Sequence, residues 1–330
     1  MKEVATLAGV SLATVSRVVN DDGKVRPDLA EKVREAVALL GYRRDLTATN
    51  LRRADRHSAS LGLVFDDVAN PFHAALLRGV ETVARTRGVL PLVGSSDEDP
   101  ARERELAEAF LARRVDGLIV VPAGPDHSYL RQERDAGVAL AFVDRPPAFI
   151  DADCVLSDNA GGAYAATAHL IERGHRRIGF LGDRTQIFTA VERLRGYREA
   201  LTEHGIHYDA ALVRMDLHDS AKASAAAGEL VGGDEPPTAL FSAQNLITIG
   251  TVQRLRALDL HRRVAVVGFD DLTLADAVEP GLTVVAQNAH ELGRLTAELL
   301  FARLDGQNGP TRRVEVPTTL IVRGSGELVP

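Results

Sequence analysis

The sequence predicts a small all-α head followed by a larger, two-lobed α/β body. Three observations predict it. Residues 2–40 hold three short helical patterns separated by turn residues; from Leu61 onward short apolar runs alternate with amphipathic stretches; and formal charge changes sign between the two regions. At 330 residues the chain exceeds the size at which one hydrophobic core stops growing, so a small module plus a larger domain is the natural division.

The head comes first. Lys2 to Ala8 places Val4, Ala5, Leu7 and Ala8 on one side of a short helix, and Gly9 breaks it. Ser11 offers an N-cap hydroxyl to a second helix, Leu12 to Val19, whose Val15, Val18 and Val19 face inward. Asn20-Asp21-Asp22-Gly23 is a turn cluster. A third helix runs from about Pro27 to Leu40, with Leu29, Val33, Ala36, Val37 and Leu40 as its buried stripe and Gly41 as its C-cap. Two short helices across a Gly turn, closed by a third, describe a helix-turn-helix. The second helix presents Leu12, Ala13, Thr14, Ser16 and Arg17 outward, with no acid among them. Short side chains allow close approach to a major groove, and an arginine pairs bidentately with guanine. The plainer alternative is a small bundle with a solvated face.

Charge supports the groove. Residues 1–57 carry 11 Lys+Arg against 8 Asp+Glu, a balance of +3, whereas the rest carry 28 against 38, a balance of -10. The chain's net -7 therefore belongs to the body, and phosphate attraction is set locally by the head.

In the body, LGLVF, VLPLVG, DGLIVV, VALAFV, CVLS, RIGFLG, ALFSA and VAVVGF read as strands alternating with helices, the pattern of parallel sheets wrapped by helices. Two such series, roughly 61–158 and 159–285, predict two similar Rossmann-like lobes. Several strands end in polar residues: Asp66-Asp67, Asp144-Arg145, Asp158-Asn159, Asp183, Gln244-Asn245 and Asp270-Asp271. Ligands of open α/β sheets bind outside the carboxyl ends of strands, so these residues outline a cleft for a polar, hydroxyl-rich ligand. Each one taken singly is also an ordinary helix N-cap.

Other classes find little support. The chain has no GxxxxGK[ST] loop, no GxGxxG opening a helix after a strand, and no HExxH. His204 and His207 lack a second ligand pair, so neither metal nor cofactor is expected. Cys154 stands alone in a buried-strand pattern. There is no apolar run of about 20 residues, and MKEVATLAGVS has no apolar signal core. A cytoplasmic protein with no membrane partner is expected. An exported solute-binding protein would share two lobes but not the head.

The segments KEVATLAGVSLATVSRVVN, VRPDLAEKVREAVALLGY and LRRADRHSASLGLVFDDVANPFH resemble the LacI/GalR family of bacterial repressors. So do RRVDGLIVVP, VLSDNAGGAYAATAHLIERGHRRIGFLGD, ERLRGYREAL, VAVVGFDD, HELGRLTAELL and LIVRGS, in family order over essentially the whole chain. The resemblance implies a head at 1–46, a hinge at 47–57, and a periplasmic-binding-protein-like domain at 58–330. Within that domain the N-lobe would hold about 58–158 and 286–316, and the C-lobe about 159–285 and 317–330. It implies a homodimer on double-stranded operator DNA, controlled by a small effector such as a sugar or nucleoside. Leu12, Ala13 and Arg17 would read bases, with Thr14, Ser16 and Asn20 near phosphates. Leu51 would be a minor-groove wedge in a basic hinge that includes Arg52. Arg193 and Asp270 match the family's effector-binding arginine and aspartate, with Asp144, Thr189 and Gln244 as further candidates. Phe72, His73, Ile187 and Phe188 would complete the walls. This chain departs from the family at Arg44, where proline is usual, at Thr49-Asn50, and at His73, which fills an aromatic position. It has no Trp, so an aromatic sandwich around the ligand is not expected.

Overall fold

The computed structural model describes residues 1–19, 25–42 and 58–330. These fall into two compact units, Met1–Ser58 and Ala59–Pro330, each considered by itself.

In the first unit, α1 (Lys2–Ala8) ends at Gly9, whose left-handed φ of 65° turns the chain so that Val10 N–H reaches Ala5 O. Ser11 Oγ then accepts from Thr14 N–H at 3.1 Å and starts α2 (Leu12–Val19). Pro27 occupies the first turn of α3 (Pro27–Leu39), and Gly41 at φ 57° closes it with Tyr42 N–H on Val37 O. Val4, Ala5, Val15, Val33 and Ala36 form the core, ringed by Val10, Val18, Val19, Val37 and Tyr42.

Two side chains expected in that core are exposed: Leu7 at 54% and Leu40 at 44%. Leu7 lies about 160° around the helix from buried Ala5, so a seven-residue helix cannot bury both. Leu40 follows the last helical residue, and the Gly41 turn sends Tyr42 to the core in its place. Ala30, rather than half-buried Leu29, fills the inner face of the first turn of α3.

The second unit alternates as its apolar runs require. Its first half contains β1 (Ser60–Phe65), α4 (Pro71–Thr86), β2 (Leu90–Ser95), α5 (Pro100–Ala112), β3 (Gly117–Val120), α6 (Arg131–Asp135), β4 (Ala139–Val143) and β5 (Asp153–Ser157). Its second half contains α7 (Asn159–Glu172), β6 (Ile178–Leu181), α8 (Phe188–Glu203), β7 (Val213–Arg214), α9 (Ser220–Val231), β8 (Ala239–Ser242), α10 (Asn245–Ala257), β9 (Ala265–Phe269) and β10 (Thr283–Ala286). Then α11 (Ala289–Leu304) and β11 (Arg313–Val316) return to the first lobe, and β12 (Thr319–Ile321) returns to the second. The chain thus crosses between lobes at 157–159, 286–289 and 316–319.

The sheets have orders β11-β5-β4-β3-β1-β2 and β12-β10-β9-β8-β6-β7. Apart from the edge strands β11 and β12, both run 5-4-3-1-2 with parallel pairing, so the lobes repeat one topology. In each, strand order reverses at the first strand, and the carboxyl ends beside that switch point face a natural ligand crevice. Helix starts are fixed by strand-end caps: Asn70 Oδ1 accepts from Phe72 N–H, Asp158 Oδ1 from Gly161 N–H, and Gln244 Oε1 from Ile247 N–H. No helix among the described residues is long and apolar enough to cross a membrane.

Candidate functional site

On the head, α2 turns Val15 inward and leaves Leu12 (45% exposed), Ala13 and Arg17 in solvent, with Thr14 and Ser16 half-buried. Ser11 Oγ also lies 2.9 Å from Thr14 Oγ1, which ties that hydroxyl to the start of the helix. The exposed surface is small, acid-free and carries one guanidinium. Asn20, Leu51 and Arg52 lie outside the described residues, as do Arg44, Thr49 and Asn50.

In the body, the strand ends of the two lobes meet. Asp144 after β4 and Asp270 after β9 occupy corresponding positions, and their backbones match. Both have left-handed φ, 68° and 73°, and both donate N–H to the neighbouring strand, Asp144 to Val155 O and Asp270 to Val285 O. A left-handed φ is uncommon for any residue but glycine, and Asp is among the few that tolerate it. Here it swings each carboxylate out of the strand direction. No helix follows β9 until α11, so Asp270 is not a helix cap; its Oδ1 accepts from Gln287 Nε2 at 2.6 Å.

Arg193 on α8 is buried in the same region. Its Nε donates to Asn159 Oδ1 and its Nη1 to Ala243 O, both at 2.8 Å, while the guanidinium lies 3.8 Å from the Phe269 ring centroid. Burial pulls its pKa down, opposed by the charges of Asp270, Asp144 and Asp183. Burial likewise pushes the Asp144 carboxyl up, against Arg145, His73 and, from the opposite lobe, Arg193. Arg193, Asp144 and Asp270 therefore form one electrostatic group spanning both lobes.

The first lobe adds a network that joins the strand-end residues Asp66 and Arg145 to Glu98, which strand patterns did not single out. Arg145 grips Glu98 with two bonds of 2.8 and 2.6 Å, donates to Pro122 O at 2.9 Å, and lies 3.5 Å from both Asp66 and Asp144. Asp66 Oδ1 also sits 2.7 Å from His73 Nδ1. The His73 ring stacks on Phe65 and meets Phe72 edge-on. Burial opposes its charged form, but Asp66 and Asp144 outweigh burial and Arg145, so the imidazole pKa is raised. In the second lobe His218 pairs with Asp183 at 3.0 Å, and that bond raises its pKa too.

The remaining candidates divide. Thr189 is buried in the first turn of α8, and Gln244 spends its Oε1 on the α10 cap. Phe72 packs on the first lobe's core beside α4 and α11, and Phe188 reaches from α8 to the cluster containing Leu130, Phe142 and Ile150. Asn245 Nδ2 donates to Asn70 Oδ1 at 2.8 Å, so the lobes touch. Ile187 is buried. Leu217 is packed in the core between β8 and α9. Burial pushes the Cys154 thiol up to about 12, which leaves it unreactive at neutral pH. No group of metal-binding side chains occurs among the described residues.

A two-lobed ligand-binding body of repeated topology carrying a helix-turn-helix head defines an allosteric DNA-binding regulator. The chain belongs to the LacI family of bacterial regulatory proteins. Residues 1–45 match the profile described as bacterial regulatory proteins, lacI family, and residues 167–326 match that of the periplasmic binding protein-like domain. The chain is similar to the HTH-type transcriptional regulator CelR of Thermobifida fusca, with 34% identity over 99% of this chain and 98% of the relative. It is also similar to the HTH-type transcriptional regulator GalR of Escherichia coli (strain K12), with 32% identity over 98% and 95%. Among solved structures, the CelR–cellobiose complex aligns with TM-score 0.72 at 33% identity, covering 98% of each chain. A lac repressor dimer bound to operator and an anti-inducer aligns at 0.85 with 24% identity and 98% of each chain, a likeness of fold.

Proposed function

We propose that this regulator represses transcription by binding a pseudo-palindromic operator as a homodimer, and that a sugar-like metabolite held between the lobes controls its grip. The convergence of Asp144 and Asp270 from facing strand ends with Arg193 from α8 carries this reading. Carboxylates accept two hydroxyls each, and a buried guanidinium anchors a ligand oxygen. The relative solved with cellobiose supports the ligand class. Phe72, His73, Thr189 and Gln244 complete the pocket. Leu12, Ala13 and Arg17 read base edges while Thr14, Ser16 and Asn20 meet the backbone, and Leu51 with Arg52 enters the minor groove from the hinge at 47–57.

Closure of the lobes on the ligand changes the hinge and so the affinity for DNA, a coupling typically worth about 1–3 kcal/mol. The cleft binds and releases its ligand unchanged, so the protein is a regulator and not an enzyme, acting in the cytoplasm where operator DNA lies. The test is fluorescence anisotropy on an operator recovered by selection from random DNA, with and without each of a panel of sugars. A sugar that binds the protein and shifts operator affinity is expected. Absence of any sequence preference in the selected DNA would refute the regulator reading.

A further inference from the structure

We infer that the effector carries no negative charge: the cleft is built for an uncharged polyhydroxylated molecule and rejects its phosphorylated or carboxylated counterpart. This rests on the sugar reading above and narrows it.

The charged groups at the facing strand ends set the sign of the site. Asp66, Glu98 and Asp144 stand on one lobe with Arg145; Asp183 and Asp270 stand on the other with Arg193. Five carboxylates thus face two guanidinium groups, a balance of -3. Full protonation of His73 and His218 would still leave -1. Both arginines are largely occupied by their own chain. Arg145 has both Nη atoms on Glu98, with Pro122 O and Asp66 around it, and Asp144 lies beside its Nε. Arg193 has Nε and Nη1 on Asn159 and Ala243 O, and Phe269 covers one face. Among the described residues no acceptor takes its Nη2, which suits one ligand oxygen and leaves no fork for the bidentate grip by which arginine holds a phosphate most strongly.

Arg184, next to Asp183 and near enough to His218 to lower its basicity, is only half-buried, where water and salt screen it. An anion entering the cleft would therefore lose its hydration against a like-charged wall and gain only the single open Nη2 donor of Arg193. A neutral polyol meets carboxylate acceptors with its hydroxyl donors and has no charge to desolvate.

The test is isothermal titration of the full chain with matched pairs: glucose, galactose and cellobiose against glucose 6-phosphate, galacturonate and cellobiose 6-phosphate. Neutral members should bind, and the acidic partner of each binder should be weaker by about a hundredfold or more. In Glu98→Gln, which releases Arg145, that gap should shrink by about tenfold or more. A thermal melt checks that this variant folds, and the wild-type comparison decides the matter by itself should it not. Equal or tighter binding of an acidic member overturns this inference while leaving the sugar reading in place. Silence of the whole panel overturns both.

Discussion

Gly196→Ala tests how packing holds Arg193. In an exposed helix this change normally stabilises, because alanine outranks glycine in helix propensity by about 1 kcal/mol. Gly196 instead lies where α8 crosses α7. A Cβ there would collide with Ala160 O and stand 2.9 Å from both Ala160 C and Tyr164 N, whereas carbon contacts normally lie about 3.5–4.0 Å apart. All three atoms are backbone, so no rotamer change relieves the clash, and α8 must retreat by roughly 1 Å. Overpacking of this kind costs about 1–3 kcal/mol, leaving up to about 2 kcal/mol of net destabilisation after the propensity gain. For a domain of this size the melting temperature should fall by up to about 8 °C.

The retreat also has a functional direction. Arg193 sits one turn before Gly196, and its partner Asn159 sits one residue before Ala160, so the same displacement opens the 2.8 Å Arg193–Asn159 bond. Effector affinity should drop about tenfold or more, with operator recognition by the head retained. Calorimetric melting and ligand titration on one preparation measure both effects. A variant more stable than wild type, binding effector normally, would refute the packing argument and the placement of Arg193 with it.

Three further outcomes are expected. Arg17→Ala should lose about 1–3 kcal/mol of operator affinity and relax preference at one symmetric base pair; equal weakening on all sequences in a gel-shift series would make Arg17 a phosphate contact. Asp270→Ala should abolish the effector response while DNA binding persists, and an unaltered titration isotherm would remove Asp270 from the pocket. The His73–Asp66 pair should make stability pH-dependent. The imidazole pKa is raised in the folded state, so its contribution is fully present below the unfolded value of about 6.5 and is lost as pH rises through the folded value. Melts from pH 5.5 to 9 should show wild type losing ground to His73→Phe as pH rises, and a gap independent of pH would mean that the pair carries no charge.

The main strands were legible because each is a short run of Val, Ile, Leu and Phe bounded by polar residues, which leaves little room for another reading. β7, two residues long, and the edge strands β11 and β12 carry too few apolar positions to stand out. Leu7 and Leu40 were misjudged because periodicity fixes which side of a helix is apolar but not how much of it a small core can cover. At the site, Asp144, Arg193 and Asp270 were visible through strand ends and family motifs. The Arg145–Glu98 grip joins positions 47 apart and Asn245–Asn70 positions 175 apart, and only the fold brings them together. Glu98 left one faint trace, a charged loop after a strand, and its φ of 60° shows the backbone bending to present it.

The second passage of the chain through the first lobe bears on how the protein is made. Leu76, Val80 and Ala84 of α4 are buried in a cluster with Leu292, Leu299, Leu300 and Phe301 of α11, while β11 pairs with the edge of β5. The first lobe therefore lacks a covering helix and a border strand when the ribosome reaches residue 158. At about 5–20 residues per second, roughly 7–26 s pass before residue 289 is added. During that interval α4 packs on the strands alone without its partner helix α11, and the second lobe is synthesised beside an incomplete neighbour. A premature stop after residue 158 and before residue 289 leaves the N-terminal lobe unfinished, however much of the other has been made.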